Sequence, residues 1–160
     1  MTGLRAAVIT VSDRSAAGER ADAAGPIAAA SLREAGYDVA APAVVPDGSA
    51  AVASAIRQAL ASGARLVITS GGTGIAPRDE TPEGTRSAID REIPGIGEEL
   101  RRIGSLAAPG GLLSRGIAGV AGDALVVNLP GSPEAVAEGM PLLLRIAPHA
   151  LGQLAGGDHD

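Results

Sequence analysis

The absence of Phe and Trp, with Tyr37 the only aromatic residue, constrains this chain more than any other feature. Its core must be filled by Ala, Val, Leu and Ile. Such side chains let backbone layers approach closely, which suits helices packed on a parallel sheet whose strands are buried on both faces. A length of 160 residues allows one domain with such a core and no covalent staples.

The order of segments agrees. Residues 5–11 read as a buried strand ending in the polar turn Ser12-Asp13-Arg14. Residues 22–35 have helical periodicity, with Ile27 and Leu32 on the apolar side and Gly36 as a stop. Tyr37 to Val45 reads as a second strand, broken by Pro42 and so placed at an edge. Ser49 is expected to cap an Ala-rich helix over 50–61, and residues 65–69 form a strand running into a glycine loop. Thr81-Pro82-Glu83 opens a helix to about Arg91, and another covers 94–106. A short strand at 124–127 precedes a helical stretch over 134–154, where Pro141 and Pro148 mark a bend or boundary. The pattern predicts one domain over 1–155, a disordered tail at 156–160, and a three-layer α/β/α sandwich around a mostly parallel sheet.

Missing residue types exclude whole chemistries. All 13 cationic side chains are Arg, so neither a Walker-type P-loop lysine nor a lysine Schiff base is available. Without cysteine there is no thiol chemistry and no disulfide, which fits a cytoplasmic location. The two histidines, His149 and His159, cannot build a His-rich metal site, and a Ser-His-Asp triad is not supported. A net charge of -5 with one aromatic residue argues against nucleic acid. No apolar run approaches membrane-spanning length, and Met1 to Val11 leads straight into a strand with no signal-peptide pattern. Carboxylates, hydroxyls, guanidinium and backbone N–H groups remain, a set suited to handling phosphate with a hard cation such as Mg²⁺.

In an α/β sheet of this kind, ligands bind beyond the C-terminal ends of the strands. Three loops fall there: Ser12-Asp13-Arg14, Ser70 to Asp79, and Asn128 to Pro133. Gly71, Gly72 and Gly74 would let the backbone approach an anion, Thr73 adds a hydroxyl, and Asp79 supplies a carboxylate nearby. Pro130-Gly131-Ser132-Pro133 reads either as a second phosphate cradle or as an ordinary turn into a helix. Asp47 reads as a ligand group or a surface cap, and Arg115, beside Ser114, as a phosphate binder or a solvent-facing residue.

Together the segments Ile9 to Arg14, Pro46-Asp47, Thr69 to Asp79 with Thr81-Pro82, Ile93 to Glu98, Leu113-Ser114-Arg115 and Asn128 to Pro133 resemble the molybdopterin adenylyltransferase family, the MogA/MoaB group with its related gephyrin domain. That resemblance implies a reaction in which molybdopterin and ATP give adenylyl-molybdopterin and pyrophosphate, with Mg²⁺. It implies Asp47 and Asp79 as catalytic and metal-binding residues. It implies Ser12, Asp13, Ser70, Gly71, Gly72, Thr73, Gly74, Ser114, Arg115, Asn128, Pro130, Gly131 and Ser132 as substrate-binding residues. It also implies a homotrimer or a hexamer, and contact with the molybdenum-insertion enzyme of the pathway. The alternative is a non-catalytic pterin-binding or scaffold protein of the same fold. Three residues depart from the family pattern: Ala24, Glu80 and Glu134, of which the two acids are expected to make the site more negative.

Overall fold

Seven strands join in one sheet in a computed structural model that describes residues 3–157. Outside that range lie Met1, Thr2 and the last three residues of the expected tail, His159 among them. The chain runs β1 (Arg5–Val11), α1 (Asp13–Ala16), α2 (Ala24–Glu34), β2 (Asp38–Val39), β3 (Ala43–Val45), α3 (Ser49–Ala61) and β4 (Leu66–Ser70). It continues with α4 (Thr81–Ala88), β5 (Arg91–Glu92), α5 (Pro94–Ala107), a 3₁₀ turn (Pro109–Leu113), β6 (Ala118–Ala121), β7 (Ala124–Leu129) and α6 (Pro133–Leu154).

The strand order is β2-β1-β4-β7-β6-β5, with β3 also beside β1. β1, β2, β3, β4 and β7 are parallel, while β6 pairs antiparallel with β7 and with β5. Alternation along the strands feeds two cores. Ala6, Val8, Leu66, Ile68, Leu125 and Val127 face α2, α5 and α6. Ile9, Val11, Val67 and Val126 face α3 and α4. The expected three layers follow, with central strands buried on both sides. Each fully buried Leu or Ile contributes roughly 1.5–3 kcal/mol.

Several local expectations change. The second strand divides into β2 and β3 around Pro42, both against β1. The turn after β1 winds into the short helix α1, capped by Ser12, whose Oγ accepts the Ser15 N–H at 3.2 Å. Ser49 is the first residue of α3 rather than its cap, and Glu80 Oε2 accepts its N–H at 2.8 Å. α4 stops at Ala88 because the following residues are drawn to the sheet edge, with Asp90 N–H on the Val120 carbonyl at 2.7 Å. α6 is continuous through Pro141 and Pro148. Each proline costs a helix about 3 kcal/mol. The buried stripe Val136, Met140, Leu143, Ala147 and Leu151 outweighs that by anchoring the helix on the sheet. Beyond it, Gly156 and Gly157 donate to the Gln153 and Gly152 carbonyls, both at 2.9 Å.

Candidate active site

The C-terminal ends of β1, β4 and β7 open onto a cleft of about 1270 Å³. Its walls are the segment 12–24, the loop 70–79, the end of α5 with the 3₁₀ turn, and the start of α6. Thus the three sequence-predicted loops do meet in one place.

The glycine loop forms the floor. Gly71 has φ +104° and lies so close to the Val11 carbonyl that a Cβ would be 2.2 Å from its oxygen. Gly71 N–H donates to the Leu129 carbonyl at 3.0 Å, and Ser70 Oγ to the Pro130 carbonyl at 3.0 Å. A Cβ on Gly131 would come within 3.2 Å of Gly71 Cα. Gly72, at φ +67°, would put a Cβ 2.2 Å from Thr81 Oγ1 and 3.1 Å from Asp47 Oδ1. A Cβ on Gly74 would meet Asp79 Oδ2 at 2.8 Å. These glycines are therefore required by neighbours in the chain itself, the two aspartates among them. Among the described residues the N–H groups of Gly72, Thr73 and Gly74 have no acceptor in the chain, so the floor also presents backbone donors.

Two carboxylates flank that floor. Asp79 Oδ2 accepts the Ala76 N–H at 3.0 Å, closing a tight turn. Asp47 Oδ2 accepts the Asp13 N–H at 3.0 Å. Burial pushes the Asp47 carboxyl above the ordinary carboxylate range. The bond from the Asp13 N–H opposes the rise, the Asp13 and Asp79 charges add to it, and Arg78 offsets part of it. Asp13 is held below that range, first by its ion pair with Arg78.

Not every predicted residue offers its side chain to the cleft. Asn128 is buried beneath the floor, donating from Nδ2 to Thr69 Oγ1 and Thr85 Oγ1, both at 2.9 Å, and accepting the Ile117 N–H at 3.1 Å. Arg115 tethers the loop: Nε donates to the Gly74 carbonyl at 2.8 Å, Nη2 to the Asp79 carbonyl at 2.7 Å, and Nη1 to Glu83 at 2.8 Å. Ser114 Oγ reaches Thr73 Oγ1 at 3.3 Å. Ser132 caps α6 by accepting the Ala135 N–H at 3.1 Å, and that helix start faces the cleft beside Pro130 and Gly131.

The three departures resolve differently. Glu80 turns from the cleft to the N-terminus of α3, where the helix dipole favours it, so it does not add a second free carboxylate beside Asp79. Glu134 sits exposed in the first turn of α6 and does line the cleft. Ala24 is buried as the first residue of α2.

Sequence reasoning assigned no site role to Arg78, Thr81 or Asp22; it read Thr81 as the cap of α4, whereas Thr81 is the first helical residue and Glu80 holds the cap position. Asp22 accepts Thr10 Oγ1–H at 2.7 Å and Gly25 N–H at 2.9 Å, tying the start of α2 to β1. Arg78 was legible only as a lone charge before Asp79, and Thr81 only as a helix start.

A family model described as "Probable molybdopterin binding domain" matches residues 7–149. The chain is 39% identical over 159 residues, 99% of its length, to the molybdenum cofactor biosynthesis bifunctional protein of Synechococcus elongatus, and it spans 50% of that protein. It is 36% identical over 138 residues to the molybdopterin adenylyltransferase of Haemophilus influenzae, covering 84% of this chain and 70% of that one. The solved structure of the molybdopterin biosynthesis Mog protein from Mycobacterium ulcerans superposes with a TM-score of 0.89 at 43% identity, over 98% of this chain and 99% of that one. With the family model covering most of its length, and with a solved relative of the same fold at 43% identity, the chain belongs to the molybdopterin-binding domain family.

Proposed function

We propose that this chain adenylylates molybdopterin with ATP, releasing pyrophosphate. The observation that carries the reading is the pair Asp47 and Asp79 against a floor of free backbone N–H groups, in a cleft with room for two ligands. An oxygen of the terminal phosphate of molybdopterin would attack the α-phosphorus of ATP as the bond to pyrophosphate breaks. No covalent enzyme intermediate is required, in keeping with the absence of lysine and cysteine. The floor amides and the start of α6 would bind phosphate oxygens, and the enclosing walls would hold donor and acceptor in line.

Mg²⁺ fits the donor set. Among the described residues, Asp47 Oδ1 and Asp79 Oδ1 accept no hydrogen bond, and Thr81 Oγ1 is buried without a partner next to Gly72. Among those residues no trio of His, Cys, Asp or Glu gathers, which suits a cation that takes one or two carboxylates plus substrate phosphates. Asp79, with Asp47, would hold it, and it would offset charge on the phosphates and on departing pyrophosphate. Ser12 and Asp13 line the same cleft beside the floor. A homotrimer or hexamer, a cytoplasmic location and contact with a molybdenum-insertion enzyme belong to the same reading.

The test supplies ATP, Mg²⁺ and molybdopterin and follows pyrophosphate and adenylylated pterin. Native protein should produce both, and Asp79→Asn should abolish turnover while pterin binding persists. Pterin binding by native protein without pyrophosphate release would instead make the chain a binding or scaffold protein.

A further inference from the structure

Asp13 is a junction of three segments remote in sequence. Its N–H donates to Asp47 Oδ2 at 3.0 Å, and its own Oδ1 accepts the Asp47 N–H at 3.1 Å. Arg78 closes on the same carboxylate, Nε at 2.5 Å from Oδ2 and Nη2 at 3.0 Å from Oδ1. Nη2 also donates to the Asp47 carbonyl at 3.0 Å. Asp13 follows β1, Asp47 follows β3, and Arg78 lies in the loop after β4. The N–H, carbonyl and Oδ2 of Asp47 are therefore all held, and Oδ1 alone is left against Gly72 on the cleft floor.

Stability does not account for this arrangement. The ion pair is largely exposed, 64% for the Arg78 side chain and 41% for that of Asp13, and pairs of that kind add little. Orientation does account for it, since a planar fork on a carboxylate fixes direction as well as distance.

We propose that Arg78, acting through Asp13, is a positioning residue that aims Asp47 Oδ1 at the bound phosphates and their cation. Nε and Nη2 of Arg78 and both oxygens of Asp13 are spent on each other and on Asp47. Among the described residues Nη1 has no acceptor, so a phosphate contact through it is the alternative that the measurements must separate from positioning. The inference rests on the adenylyltransferase reading for the identity of the ligands, and not for the geometry.

The test uses the full chain with Arg78→Gln, Arg78→Lys, Asp13→Asn and the double variant Asp13→Asn/Arg78→Gln. Four quantities are measured: melting temperature, pterin binding by its fluorescence, Mn²⁺ half-saturation with the non-transferable α,β-methylene analogue of ATP, and turnover. Arg78→Gln should leave melting within about 2 °C of native, as expected for an exposed pair. Its Mn²⁺ half-saturation should rise about tenfold and kcat fall at least about tenfold, the usual scale for a group that orients a metal ligand, with pterin affinity unchanged. Arg78→Lys should recover part of both losses, and the double variant should be no worse than either single one, because the pair acts as a unit. Unchanged Mn²⁺ half-saturation in Arg78→Gln overturns the proposal, as does a rise in KM for ATP at constant kcat, which would make Arg78 a phosphate contact. If native protein transfers no adenylyl group, the Mn²⁺ arm still decides the positioning role while the activity reading alone fails.

Discussion

Asn128→Ala separates a ligand contact from an internal strut. Asn128 is 2% exposed and its amide joins β7 to Thr69 on β4, Thr85 on α4 and the Ile117 N–H before β6. Removing it leaves that N–H buried without its partner, a cost of about 1–3 kcal/mol, because a backbone donor cannot rotate away. The two threonine hydroxyls can turn elsewhere and add about 1 kcal/mol between them. A total near 3 kcal/mol corresponds to a fall in melting temperature of roughly 6–12 °C for a chain of this size. The assay is calorimetric melting of the ligand-free protein, with KM for both substrates measured well below the transition. The expected pattern is a large thermal loss with KM close to native. Melting within about 2 °C of native, together with a KM raised severalfold, would refute the strut assignment and make Asn128 a substrate contact.

Two further predictions concern the loop. Gly71→Ala forces a φ of +104° on an alanine and drives its Cβ into the Val11 carbonyl, so a loss of at least about 2 kcal/mol in urea unfolding and a collapse of turnover are expected; a variant as stable and active as native would show that the floor adjusts freely. Glu83 is held below its ordinary value by hydrogen bonding to Arg115. A carboxyl lowered on folding contributes stability above its unfolded value near 4.5, and that contribution is lost as pH falls through the folded value. With both side chains about two-fifths exposed, the effect should be well under 1 kcal/mol. Glu83→Gln should therefore melt slightly below native at pH 6 and converge on it near pH 3. A gap independent of pH would assign the difference to packing.

The β1 and β4 strands, the glycine loop and the three-layer class were legible because each rests on local pattern: aliphatic runs, a break, then helical spacing. The strand Ala118–Ala121 was not, since its residues Ala-Gly-Val-Ala carry little strand preference and its pairing is set by β7 across the turn Gly122-Asp123. The Gly122-Asp123 pair between two apolar stretches is the one local hairpin signal there. The two-residue strands β2 and β5 depend on neighbours already in place. Within the site, Asp79 stood out as the carboxylate beside the glycine loop, whereas Asp47 was singled out only through the family resemblance. The Asn128 links to Thr69 and Thr85 span 59 and 43 positions, and the Arg78 link to Asp13 spans 65, so no sequence window contains both ends.

The crowding around Gly71, between the Val11 carbonyl, the Leu129 carbonyl and Gly131, divides the cleft by how much its residues can be altered. Nothing larger than hydrogen fits at Gly71 without moving the ends of β1 and β4, so substitutions at that position would report chiefly on folding. The outer wall is different: Arg14, Arg20 and Leu113 line it and are exposed. Under the proposed function, substitutions that retune which nucleotide or pterin is accepted are expected to be tolerated on that wall.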